Sequence, residues 1–486
     1  MRALLSFGGV ACRSVRISRG WWRVWSAVLL GVFALGTSAA AAGGVQPADA
    51  AVPGASVPGA RAQTFALANG LTVIVQPDRR APTAVQMLWL RVGAMDETDP
   101  ESGVAHVLEH MMFKGTPTVP EGEYSRRIAA LGGRDNAFTS RDVTAYHVQL
   151  PAEYLLEALR LEADRFAHNT WSDDALRREL AVVQEERRQR IEDEPVAQLY
   201  EQFFATAWTA HPYRRPVIGW MGNLQALDAP TVRAFHQRWY VPGNAALVVV
   251  GDVDPVQVRR WAEETFGALP ARALPPRLGD VEPQQRGLRR IEWRGRTQQP
   301  TLLMGWRVPR LAHPDADDES ARDALALALM AGALDGYRGA RLERALVQGQ
   351  GGTRLADAVG ASYGLASRGP QLFVLSATVR AGTAVEAVEA ALKGEIARIA
   401  RDGLDPAELQ RVKNQWTASA VFDRDSPFAQ ARELGMHWAL GWPLDAEARL
   451  LARLQTIGVE DVQRVARRYF VDEQLTVGVL RPEGGV

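Results

Sequence analysis

A segment near the middle of this 486-residue chain returns near its end. Leu224-Gln225 through Tyr240 aligns without a gap on Leu454-Gln455 through Phe470, an offset of 230 residues. Val232 falls on Val462, Arg238 on Arg468 and Val241 on Val471, and the apolar run Ala245–Val250 falls on Leu475–Leu480. A helix followed by a strand thus recurs at the end of each half, the mark of an internal duplication. A chain of this length exceeds what one hydrophobic core usually serves, so two related cores are expected. Residues 271–287, rich in Pro, Arg and Gln, read as the linker between them. The expected division is an N-terminal domain over 63–270, that linker, and a C-terminal domain over 288–486. Strand-rich openings and helical middles make each domain α+β.

Local patterns place the elements. Gln63 to Pro77 carries apolar runs around Asn69-Gly70, a hairpin signal. Ala84 to Val92 reads as a buried strand and 142–150 as another. Between them a loop with Asp96, Asp99 and Pro100 leads to Ser102, a suitable helix cap. Glu153–Asn169 and Asp173–Glu192 read as helices.

The first 42 residues follow another rule. Arg2, Arg13, Arg16, Arg19 and Arg23 precede an apolar run from Trp25 to Leu35, and small residues follow. That is a signal peptide with a cleavage site near 42, leaving no stable membrane anchor and implying a periplasmic location. Residues 43–62 read as a flexible leader. The only cysteine, Cys12, lies in the signal, so the mature chain has neither disulfide nor cysteine nucleophile. The formal net charge is zero, about −5 once the signal is removed, which gives no basis for nucleic-acid binding.

The chemistry concentrates at His106-Val107-Leu108-Glu109-His110. Residues four apart share a helix face, so both imidazoles can point at one metal ion. The pattern H-x-x-E-H reverses the common zinc-protease order, and Glu109 stands close enough to act on a water at that metal. A catalytic zinc ion usually takes three protein ligands, and the helix after Ser172 offers Glu179, Glu185 and Glu186. Glu179 and Glu186 are two turns apart on one stripe, with Val182 and Val183 placed on the same inward side. Arg187, Arg188 and Arg190 read as a solvated face. Gly349, Gly351 and Gly352 lack the Gly-Lys-Ser/Thr of a phosphate loop and read as a turn.

The run Gly103 to Thr116 resembles the signature of the pitrilysin-type, or inverted-zinc, metallopeptidases of family M16. Asn136-Ala137-Phe138-Thr139, Glu179 to Glu186, His211-Pro212-Tyr213 and Gly219 resemble further blocks of that family. The likeness runs from about Gln63 to Leu480 and is strongest to the short bacterial members related to mitochondrial processing peptidase. It implies two homologous α+β domains, each a mostly antiparallel sheet with helices on one side, forming a clamshell chamber. It implies one Zn2+ per chain held by His106, His110 and Glu186. Glu109 would be general base to a zinc-activated water, and Glu179 would orient a ligand histidine. Asn136, Ala137, Phe138 and Thr139 would bind substrate as an added strand.

In one place the chain departs from the family. Active relatives often carry an Arg and a Tyr seven residues apart in the C-terminal half, which grip substrate. Here Arg344 has the right place but position 351 is Gly. The departure implies a second M16-like subunit or a homodimer. The expected activity is a zinc endopeptidase cleaving peptides or unfolded segments. Its rivals are a non-catalytic scaffold subunit and a zinc hydrolase with a non-peptide substrate.

Overall fold

The computed structural model describes residues 62–483 apart from 278, 280 and 351. The expected signal peptide, Cys12, all but the last leader residue and Gly351 lie outside the described residues. The first sheet contains β1 (Gln63–Ala66), β2 (Thr72–Pro77), β3 (Thr83–Leu90), β4 (Arg134–Thr139), β5 (Thr144–Pro151) and β6 (Ala245–Gly251). Their spatial order is β1-β2-β6-β3-β5-β4. The second contains β7 (Arg289–Gly295), β8 (Thr301–Val308), β9 (Ala356–Tyr363), β10 (Gln371–Val379) and β11 (Leu475–Pro482), ordered β7-β11-β8-β10-β9. Without β1 the two orders coincide strand for strand. Each sheet has one parallel pair, β2 with β6 and β7 with β11, and is otherwise antiparallel.

The helices repeat as well. The first half carries α1 (Val104–Met111), α2 (Glu123–Ala130), α3 (Leu155–His168), α4 (Asp173–Arg187), α5 (Pro195–Ala207), α6 (Met221–Ala226), α7 (Ala229–Trp239) and α8 (Pro255–Phe266). The second carries α9 (Glu319–Asp335), α10 (Val385–Asp402), α11 (Pro406–Asp423), α12 (Pro427–Leu440), α13 (Ala446–Thr456) and α14 (Val459–Tyr469). Helix α14 begins and ends 230 residues after α7, the offset of the sequence repeat. The structure is thus mixed α and β, two related sheets each packed with helices.

One face of the first sheet is covered by helices of its own half. Val107 and Leu108 of α1, Leu159 of α3 and Val232 of α7 share a core with Leu88 and Leu247 of the sheet. The other face is also apolar, because β6 is buried at every residue and β3 at all but its first. A strand apolar on both faces needs cover on both. Ala431, Leu434 and Trp438 of α12, from the second half, supply it against Val85, Trp89 and Val248. The exchange is reciprocal. Leu199 and Phe203 of α5, from the first half, pack on Leu303, Val374 and Leu480 of the second sheet. Each contact needs a missing side chain. A Cβ on Gly435 would lie 2.1 Å from the Trp89 ring, and one on Gly305 would lie 2.6 Å from Phe203.

Two local expectations change. The helix expected to Glu192 is α-helical only to Arg187, and Arg188–Glu192 forms a π-helical turn. Val182, expected inward, is 51% exposed, while Val183 is fully buried. At 100° per residue only Val183 stays on the stripe with Leu176, Glu179 and Leu180.

Candidate active site

Helix α1 is set by its start. Gly103 has φ of 97°, a left-handed conformation that disfavours other residues, and a Cβ there would lie 2.8 Å from the Ile218 carbonyl. Ser102, expected as the cap, is not the cap. Gly103 takes the cap position, so Ser102 stands one residue early and its buried hydroxyl finds no partner among the described residues. The Glu97 carboxylate does the work instead, accepting from the Gly103 and Ala105 amides at 3.0 Å each. Burial raises this carboxyl to about 8, although the two amide bonds pull the other way.

The helix turns its two histidines together, with ring centroids 4.8 Å apart. Helix α4, packed beside α1, brings Glu186 to them. Its Oε2 lies 3.5 Å from His110 Nε2 and 3.9 Å from His106 Nε2. One donor atom from each residue fits within 4.8 Å of the others, and no other such trio of His, Cys, Asp or Glu occurs among the described residues. Tetrahedral zinc at about 2.0–2.1 Å from nitrogen and oxygen separates its ligands by roughly 3.3 Å. The two spacings to Glu186 exceed that value by a few tenths of an ångström and the whole trio lies within 4.8 Å, so the donor set fits that ion once drawn in around it. Side-chain exposures of 12%, 23% and 15% for His106, His110 and Glu186 leave the trio recessed yet reachable. Burial lowers the His106 imidazole to about 3, with the His110 and Arg190 charges adding, so it is held neutral and able to donate a lone pair.

Glu179 stands behind the trio. Its Oε1 is 2.8 Å from His110 Nδ1, which leaves Nε2 facing Glu186. Its Oε2 is 2.5 Å from Lys114 Nζ, and Lys114 also reaches Glu121 at 2.9 Å. Burial alone would raise the Glu179 carboxyl, but His110 and Lys114 outweigh it and lower it. Glu185 points outward to Arg188 and Gln189. The reading of three arginines as a solvated face holds for Arg188 and Arg190, whose side chains are 46% and 47% exposed, and fails for Arg187. Arg187 is buried against Glu201 and the Gly219 carbonyl, and Arg190, carried round by the π-helical turn, pairs with Glu186 Oε1. The four-residue spacing of Glu186 and Arg190 was the available sign of that pair. Lys114 and Glu97 gave no periodic signal, since both act from turns.

Glu109 faces strand β4. Its Oε2 accepts from the Thr139 hydroxyl at 2.5 Å, and burial raises its carboxyl although that bond pulls the other way. Strand β4 is the sheet edge, paired only with β5. Along it Asn136 is exposed and its side chain accepts from the Ala137 amide. Ala137 packs toward the α1 side, and Phe138 turns to the opposite face, edge-on to Trp89. Arg344 is not brought to this group. It donates to the Gly339 carbonyl and lies 3.8 Å from Glu408, both in its own half.

Residues 72–220 match the profile described as "Insulinase (Peptidase family M16)", and 226–416 match "Peptidase M16 inactive domain". The zinc protease PqqE of Helicobacter pylori is 29% identical over 435 residues, 86% of this chain and 93% of that protein. An uncharacterised zinc protease, YmxG of Bacillus subtilis, is 24% identical over 86% and 98%. Among solved structures, a protease from Helicobacter pylori superposes with a TM-score of 0.81 at 27% identity, covering 87% of this chain and all of that one. The periplasmic protease PqqL of Escherichia coli shares the fold, with a TM-score of 0.74 at 22% identity over 88% of this chain and 48% of that one.

Proposed function

We propose, from the premise that this chain belongs to the M16 peptidase family, that it is a zinc-dependent endopeptidase cleaving peptides or unfolded polypeptide segments. The observation that carries this reading is the convergence of His106, His110 and Glu186 beside Glu109. One zinc ion held by the trio would supply Lewis acidity toward the scissile carbonyl and the attacking water. Glu109 takes the proton from that water at the carboxylate oxygen that Thr139 leaves free, then delivers it to the departing amine. Glu179 holds the His110 ring by Nδ1 and so presents Nε2. The outer edge of β4 offers backbone N–H and C=O groups over Asn136–Phe138, so an extended peptide can join the sheet as one more strand. Selection would then rest on extension of the substrate rather than on particular side chains.

The profile named for inactive domains matches 226–416, beyond His106, His110 and Glu186, so it does not bear on the trio. The division at 271–287 is supported by the sheets, whose strands lie on either side of it. A periplasmic location is supported by the basic and apolar N-terminus. No helix among the described residues is long and apolar enough to cross a membrane. With Arg344 engaged inside its own half, we assign the far wall of the substrate site to a second subunit or a second copy of this chain.

The test is cleavage of unstructured peptides by the full chain, with and without a chelator, beside Glu109→Gln. The variant should keep its zinc and lose roughly 10²–10⁴-fold in rate. Equal cleavage by the variant, or cleavage indifferent to chelation, refutes the reading.

A further inference from the structure

The family-like strand segment was expected to touch substrate through all four of its residues, yet Thr139 is 8% exposed and its hydroxyl is spent inward. It has one proton and two acceptors in reach, Glu109 Oε2 at 2.5 Å and Thr144 Oγ1 at 3.4 Å. Thr144 in turn donates to the Val92 carbonyl at 3.0 Å. The shorter contact takes the Thr139 proton, and Thr144 is left to back the hydroxyl from behind. One carboxylate oxygen of Glu109 is thereby occupied and the other is presented.

The platform under Thr139 is braced. Thr139 pairs with Thr144 at the closed end of the β4–β5 hairpin. Within that turn Ser140 accepts from the Asp142 and Val143 amides at 3.1 Å each. Asp142 is then bound by the Tyr213 hydroxyl and by the Arg368 amide, the latter from the second half of the chain. Thr139 is therefore the point where the strand offered to substrate and the helix bearing the base are tied by a hydrogen bond.

We propose that Thr139 is a positioning residue for Glu109, selecting the carboxylate oxygen that faces the reacting water and registering it to strand β4. The inference rests on the peptidase reading above. A displaced base is costly because catalytic geometry tolerates little: a misplacement of about 1 Å can cost on the order of 10²-fold.

The experiment compares Thr139→Val, which keeps the shape and deletes the hydroxyl, with Thr139→Ser, which keeps the hydroxyl. All variants are full chains loaded with zinc and checked for one ion each. Thr139→Val should lower kcat by roughly 10–100-fold with KM within about twofold, and Thr139→Ser should restore kcat to within about threefold. In Glu109→Gln the added Thr139→Val should cost nothing further, since the group it positions is already disabled. Crystals of zinc-loaded Thr139→Val should show the Glu109 carboxylate rotated from its wild-type orientation. An unchanged kcat, a raised KM at constant kcat, or losses that multiply in the double variant would overturn the proposal. If wild type and Glu109→Gln cleave alike, the peptidase reading falls. The crystals then decide the positioning role alone, and an unmoved Glu109 carboxylate rejects it.

Discussion

Replacing Glu179 by Gln should weaken zinc binding without touching a metal ligand. His110 Nδ1 lies 2.8 Å from Oε1 and Lys114 Nζ lies 2.5 Å from Oε2. A hydrogen bond to an ionised group contributes about 1.5–3 kcal/mol, against about 0.5–1.5 for a neutral one. Gln keeps an acceptor for His110, so this exchange alone costs roughly 1–1.5 kcal/mol, on the order of fivefold to tenfold in affinity. The amide cannot satisfy both neighbours. With its oxygen toward His110, its NH2 faces the Lys114 ammonium, and both are donors. That misfit carries the expected loss to between about tenfold and a hundredfold. Titration of the metal-stripped full chain with zinc against a competing chelator, at fixed pH, measures it. Adding Lys114→Met should recover part of the loss, because the amide no longer meets a cation. A zinc Kd within twofold of wild type for Glu179→Gln refutes the relay, as does a double variant that binds zinc more weakly than Glu179→Gln.

The exchanged helices make a stability prediction. Phe203 is fully buried over Gly305 and Gly478, which have no side chains to refill its space, so Phe203→Ala should cost about 3–5 kcal/mol. For roughly 420 residues unfolding together that lowers Tm by about 3–6 °C in calorimetry, and a shift under about 1 °C would deny the helix its packing role. Glu433 supplies a pH dependence. Burial, with Glu447 adding and Arg424 opposing, raises its carboxyl from an ordinary 4.5 to about 8. The folded state therefore resists ionisation that the unfolded chain undergoes, and stability falls as pH rises from about 4.5 to 8. Glu433→Gln should be more stable than wild type at pH 8 and equal to it near pH 4 in denaturant melts, whereas a pH-independent difference contradicts the assignment. Arg344→Ala should leave peptide KM within about twofold, since Arg344 is held by Gly339 and Glu408; a tenfold rise would return it to the substrate site.

Much of this protein is written in spacings. Both imidazoles on one helical face, Glu179 and Glu186 on one stripe, and the 230-residue repeat are local regularities, because a helix or strand forces fixed offsets onto one side. They reached the two histidines and the stripe of Glu179 and Glu186; the family resemblance singled out Glu186, and the structure brings it within 4.8 Å of both imidazoles. The inward set of Val182, the cap at Ser102 and the solvent role of Arg187 do not hold in the structure. The cap depends on a left-handed Gly103 that periodicity does not carry, whereas 100° per residue already sets Val182 off the buried stripe of α4 and Arg187 on it.

What the chain determined by itself, then, is which residues can act together along one element, and that the same architecture is built twice. Only the tertiary structure decided what covers the second face of each sheet, which carboxylate anchors α1, and where the Thr139 hydroxyl points. Those contacts join residues from 6 to more than 300 positions apart, as Glu97 with Gly103, Glu109 with Thr139 and Trp89 with Gly435. No local rule constrains such pairs. They are chosen by how two apolar faces and a few buried polar groups can all be satisfied at once.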